Sequence, residues 1–185
     1  MASDVRERMI EAAVVLLAQK GFQATSFSSV LERSKTPRGS IYHHFPEGKD
    51  QMIAAAIEAS GTRAIAVVDG LSGLDPEEVV DGFLSLWRAV LVQSEFSAGC
   101  SVLAVTVSAD SEDLLERARR IFATWRAHLA EVLVGAGVQR EAAADFSALL
   151  VASAEGAVVM SRAECSLAPF ESAARSLRAA AAGLR

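Results

Sequence analysis

The chain has 185 residues, 51% of them apolar, four prolines and a formal net charge of −5. That length can bury one sizeable core or two small ones, and the overall acidity argues mildly against a nucleic-acid partner. A Val-, Leu- and Ala-rich apolar set with few prolines disfavours a sandwich or barrel and favours helices.

No basic stretch followed by an apolar run opens the chain, so no signal peptide is expected. The longest apolar stretch, FSALLVASAEGAVVM, is shorter than a membrane span and contains Glu155. Cys100 and Cys165 lie far apart and outside any CxxC pair, as expected of reduced, buried thiols. A soluble cytoplasmic protein with no membrane partner is expected. Charge is uneven: residues 1–50 hold seven Lys/Arg against six Asp/Glu, whereas the remainder is acidic.

In chain order, Met9, Ala13, Leu16 and Leu17 set a helical period over residues 4–20, with Asp4 and Glu7 fitting a capping box and Gly21 a C′ residue. Thr25 is the expected cap of a second helix, on which Phe27, Val30 and Leu31 share a face. Thr36 is the expected cap of a third, with Pro37 at its first position, where a missing N–H costs nothing. That helix must stop near His44 or Phe45, because Pro46 disfavours helical geometry before it. Gly48 turns the chain, and a fourth helix begins near Lys49. Longer helices follow at roughly 49–68, 76–95, 111–134, 140–163 and 167–182. The segment GCSVLAVTVSAD has strand-like Val and Thr, but a lone strand has no pairing partner, so a buried helix is expected there.

Three short helices with a tight turn between the second and third have helix-turn-helix geometry. On the third, TPRGSIYHHF, one face carries Ile41 and Phe45 with Pro37 alongside, and points to the core. The other carries Thr36, Gly39, Ser40 and His43, with Tyr42 at its edge. A glycine mid-helix costs about 1 kcal/mol but lets another surface approach the backbone. Arg38 can pair bidentately with guanine or phosphate, and such a helix reads bases with its N-terminal residues. Thr25, Ser26, Tyr42, His44 and Lys49 stand where hydroxyls, rings and amines grip phosphates. A metal site fits poorly, since adjacent His43 and His44 point about 100° apart and no acid or cysteine completes a set.

The stretch GFQATSFSSVLERSKTPRGSIYHHFPEGKDQM resembles the N-terminal DNA-binding domain of TetR-type transcriptional regulators, through Gly21, Phe22, Thr25, Gly39, Ile41, Tyr42, His44, Phe45 and Lys49. PRGSIYHHFPEGKDQ with the later GCSVLAVTVSAD is more narrowly similar to the LmrA/YxaF-like branch. Ser34-Lys35-Thr36-Pro37 departs from the commoner Ala-Gly-Val-Ser turn, and Pro37 brings no N–H to its position. The resemblance implies an all-α chain: a helix-turn-helix DNA-binding domain at 1–48 and a helical effector-binding and dimerisation domain at 49–185. It implies a homodimer that binds a palindromic double-stranded operator, usually as a repressor, and is released by a small effector. Repression over activation is the family's habit only.

The remainder adds its own signals. Leu167, Phe170, Ala174, Leu177, Ala181 and Leu184 form a short 3-4 seam, and Ala148, Ala152 and Gly156 lie four apart on the preceding helix. Two such helices per subunit suit a four-helix interface, with an internal hairpin as the alternative. Phe83, Trp87, Phe96, Cys100, Phe122, Trp125, Phe146 and Leu150 are candidates to line an effector pocket, or are plain core. His128 and Glu155 are the polar residues nearest them. No catalytic set, cofactor motif or phosphate loop is evident, so neither enzyme activity nor a cofactor is expected. A thiol-redox regulator using Cys100 or Cys165, and a helical carrier or enzyme with a vestigial head, remain as alternatives.

Overall fold

The computed structural model describes residues 2–184, and side chains from residue 4. Among these residues there are nine α-helices and no strand: α1 (Ala2–Ala24), α2 (Phe27–Ser34), α3 (Arg38–His44), α4 (Lys49–Asp69), α5 (Pro76–Gln93), α6 (Ser101–Thr106), α7 (Glu112–Gly135), α8 (Arg140–Glu164) and α9 (Ala168–Ala182). The chain divides into two compact units, Met1–Thr62 with Cys100–Ile121, and Arg63–Gly99 with Phe122–Arg185.

In the first unit α1 packs on α2 and α6. Met9, Leu17, Val30, Ile41, Phe45, Met52, Ile57, Val102 and Val105 are fully buried there. The segment with mixed propensity is the short buried helix α6, capped by Cys100, whose sulfur accepts the Leu103 amide at 3.3 Å. Ser101 donates to Ser60 at 2.8 Å, fixing α6 to α4 through polar groups that a dry contact would leave unpaired.

Several sequence-based cap assignments shift. Asp4 lies inside α1 and pairs with Arg8 at 3.5 Å instead of capping. Gly21 leaves helical geometry at φ 79°, as a C′ glycine does, but one more turn follows it, to Ala24. Ser26, not Thr25, caps α2, because Ser26 and Ser29 exchange side-chain and backbone bonds as a capping box. Pro37, not Thr36, is the cap of α3, and it supplies no side-chain bond.

In the second unit α5, α8 and α9 pack together around Phe83, Trp87, Leu91, Phe146, Leu150, Val158, Phe170 and Leu177. Asp75 and Glu78 form the capping box that starts α5, with Pro76 in the first turn. Arg88 donates to Glu171 at 2.7 Å and Arg178 pairs with Asp81, so both cross-links join α5 to α9. α8 is long and apolar enough to cross a membrane by length and composition, but half of its most apolar window is buried in the protein.

Candidate nucleic-acid interface

α3 has two faces of opposite character. Ile41 and Phe45 are completely buried and hold the helix from behind. Arg38, Gly39, Tyr42 and His43 are exposed, and Tyr42 is 69% exposed although its ring is large and apolar. Tyr42 makes an edge-to-face contact with Phe27 of α2, centroids 5.6 Å apart. His44 is half-buried and its ring meets that of His43 edge-on at 5.2 Å. Ser40 is half-buried and donates to the Pro37 carbonyl at 2.6 Å, closing the first turn of α3.

Gly39 is informative because nothing among the described residues requires it. A Cβ built there meets no atom within 4 Å. The helix therefore carries its least stabilising ordinary residue where an alanine would fit.

Several other candidate residues of this face also make bonds within the chain. Thr25 is fully buried and donates to the Gly21 carbonyl at 2.9 Å. Thr36 is buried, its hydroxyl 2.7 Å from that of Ser34. Pro37 was expected beside Ile41 in the core and is exposed instead, since a cap position stands outside the helix cylinder. Lys49 directs its ammonium to the Phe22 carbonyl at 3.0 Å. Sequence reasoning passed over Lys35, an exposed cation in the inter-helix turn at φ 53°, the left-handed region that glycine favours. Its standing where the commoner turn has glycine is the signal that could have found it.

The candidate pocket residues fall mainly in the second unit. Phe83, Trp87, Trp125, Phe146 and Leu150 are core, whereas Phe96 and Phe122 are half-buried. Cys100 belongs to the first unit. Trp125 contacts both Phe122 and Trp87 edge-on, at 5.3 and 6.3 Å. Trp87 Nε1 is buried without an acceptor among the described residues, which costs about 1–3 kcal/mol. Glu155 is buried on α8. His128 instead bonds Asp69 at 2.8 Å and lines an open cleft of about 430 Å³ with Glu131 and Val132, apart from the aromatic group.

The candidate interface residues separate by helix. Phe170, Ala174, Leu177 and Ala181 of the α9 seam are buried within the subunit, where α9 packs on α5 and α8, and Leu167 is half-buried. That seam is internal, as in the hairpin alternative. On α8, Ala152 and Gly156 are exposed and Ala148 is half-buried. Leu149, Val159 and Met160, each about half exposed, continue the same stripe at 3-4 spacing. A Cβ on Gly156 also meets nothing within 4 Å.

Comparison with known proteins agrees with this geometry. Residues 9–56 match the family of bacterial regulatory proteins of the tetR type, and residues 76–176 match the C-terminal domain of LmrA/YxaF-like transcriptional regulators. The chain is 32% identical over 180 residues to an HTH-type transcriptional regulator of Mycobacterium tuberculosis, covering 94% of this chain and 92% of that one. It is 29% identical over 162 residues to the HTH-type transcriptional regulator LmrA of Bacillus subtilis, covering 85% and 86%. A TetR regulatory protein of Rhodobacter sphaeroides superposes with a TM-score of 0.84 at 22% identity, covering 93% of this chain and 96% of that one, which shows the shared fold.

Proposed function

The chain belongs to the TetR family of DNA-binding transcriptional regulators, in its LmrA/YxaF-like branch, and from that premise we propose that it is a homodimeric repressor released from a palindromic operator by a small molecule. Residues 1–48 would carry the DNA-reading part and 49–185 effector binding and dimerisation. The carrying observation is α3: buried Ile41 and Phe45 behind, exposed Arg38, Tyr42 and His43 in front, and a Gly39 at which a Cβ would meet nothing. Ser26, Ser40, Pro37 and His44 flank that face, and Thr25 and Thr36 support it from within.

Two copies place two recognition helices about one DNA turn apart. The exposed stripe of α8, with Leu149, Ala152, Gly156, Val159 and Met160, is the surface offered to the second copy. The aromatic group around Trp87 and Trp125 supports an effector site, since the buried indole N–H can be satisfied by an acceptor on a bound molecule. A ligand that prefers another spacing of the reading heads lowers DNA affinity by the factor with which DNA lowers its own. Such a regulator works in the cytoplasm.

Gly39→Ala tests this reading. The free protein should gain up to about 1 kcal/mol in a thermal or urea melt, while affinity for the promoter duplex falls. Footprinting should show two-fold symmetric protection, with affinity dropping steeply as salt rises. Unchanged binding by Gly39→Ala, or asymmetric protection of a single half-site, would falsify it.

A further inference from the structure

Lys49 opens α4, where the family resemblance expects a grip on phosphate, yet its side chain is already engaged. The ammonium donates to the Phe22 carbonyl at 3.0 Å and lies 4.2 Å from the centroid of the Phe22 ring. The same carbonyl accepts the Thr25 amide at 3.2 Å, so both of its lone pairs are used. Phe22 stands directly after Gly21, where α1 leaves helical geometry, and four residues before Ser26, the cap of α2. Thr25 ties back to the Gly21 carbonyl from inside. The entry to α2 is thus pinned on its buried side by a threonine and on its outer side by a lysine. α2 in turn holds α3, through Phe27 against Tyr42.

We propose that Lys49 is a positioning residue for DNA recognition: it fixes the segment entering α2 and, through α2, the placement of the reading face. The ammonium carries three N–H groups, so one charge-assisted hydrogen bond and the cation–π contact hold Phe22 whether or not a phosphate meets the other two. The proposal rests on DNA binding by this chain, and it assigns that lysine a bracing task within it.

The two roles separate by measurement. The probes are a duplex selected by the unaltered full chain from a random-sequence pool, and a scrambled duplex of equal length and composition, each titrated across a salt series. For Lys49→Met we expect about tenfold weaker binding to the selected duplex. Affinity for the scrambled duplex should fall by much less, so the ratio between the two duplexes drops, because a misplaced reading face costs sequence recognition above all. Loss of a phosphate grip alone weakens both duplexes alike, makes the slope of log K against log salt shallower by about one and leaves their ratio unchanged, which would overturn the proposal.

Phe22→Leu removes the ring and leaves the ammonium in place. It should cost selectivity in the same way, and the double variant should lose little more than the worse single; additive losses would overturn the proposal. Lys49→Arg, which keeps a donor and a flat cation, should retain most of the ratio between the two duplexes. Melts of each free protein check folding. If Lys49→Met does not fold, Phe22→Leu decides: an unchanged ratio refutes the brace. Selection of no duplex by the unaltered chain would remove the operator reading and the brace with it.

Discussion

α3 and α8 each turn one face away from the subunit, and the two faces call for opposite partners. α3 shows a guanidinium, a phenol and an imidazole, groups that water satisfies in the free protein and that phosphates and base edges can satisfy in a complex. α8 shows Leu149, Val159 and Met160, which water does not satisfy and which only another apolar surface relieves. Both faces carry a glycine at which a Cβ would meet nothing within 4 Å among the described residues. A bare helix backbone is therefore a neutral invitation to close approach. The neighbouring side chains set which chemistry suits each face, polar at α3 and apolar at α8.

That contrast can be broken at graded cost. Phe170→Ala, in the buried seam of α9, should cost about 3–5 kcal/mol in a urea melt. A loss under 1 kcal/mol that depends on protein concentration would return that seam to the interface. Met160→Glu, half exposed on α8, should leave the secondary structure intact and turn dimer into monomer by analytical ultracentrifugation, with much weaker operator binding as a consequence. Arg38→Ala should cost about 1–3 kcal/mol of operator affinity and relax preference at one base position, leaving the melt unchanged. Lys35→Gly relieves a left-handed backbone and should stabilise the free protein by less than about 1 kcal/mol, a gain visible only in paired melts.

The smallest effect belongs to an exposed pair on α7. The hydrogen bond from Arg119 holds the Glu116 carboxyl below its ordinary range, against a weak opposing effect of burial. A lowered folded-state value contributes stability above the ordinary carboxylate range and loses it as pH falls through the folded value. Glu116→Gln should therefore differ from the parent only above that range, and by an amount near the noise of a melt.

Much of the recognition head was legible in the sequence. The periodicity of Phe27, Val30, Ile41 and Phe45, the stop at Pro46 and the bare Gly39 placed both helices and their outer face. The caps were legible only to within one residue. Thr25 and Ser26 are both hydroxyl residues, and it took Ser29 three positions on to select Ser26. Lys35 in the left-handed region uses one more residue before α3 starts, moving the cap from Thr36 to Pro37. On α9, a 3-4 seam states that one face seeks cover. It cannot state whose, because a neighbouring helix and a second copy bury the same methyl groups equally well.

Local chemistry along the chain determined the helical class, the order of the elements and the polar character of the reading face, since spacing, caps and breakers act within a few residues. Only tertiary structure decided which apolar stripe was consumed inside the subunit, which hydroxyls were buried and where the Lys49 charge was spent. Those outcomes join residues far apart in the chain, Phe22 with Lys49 and Arg88 with Glu171, and no local pattern carries the distance between them.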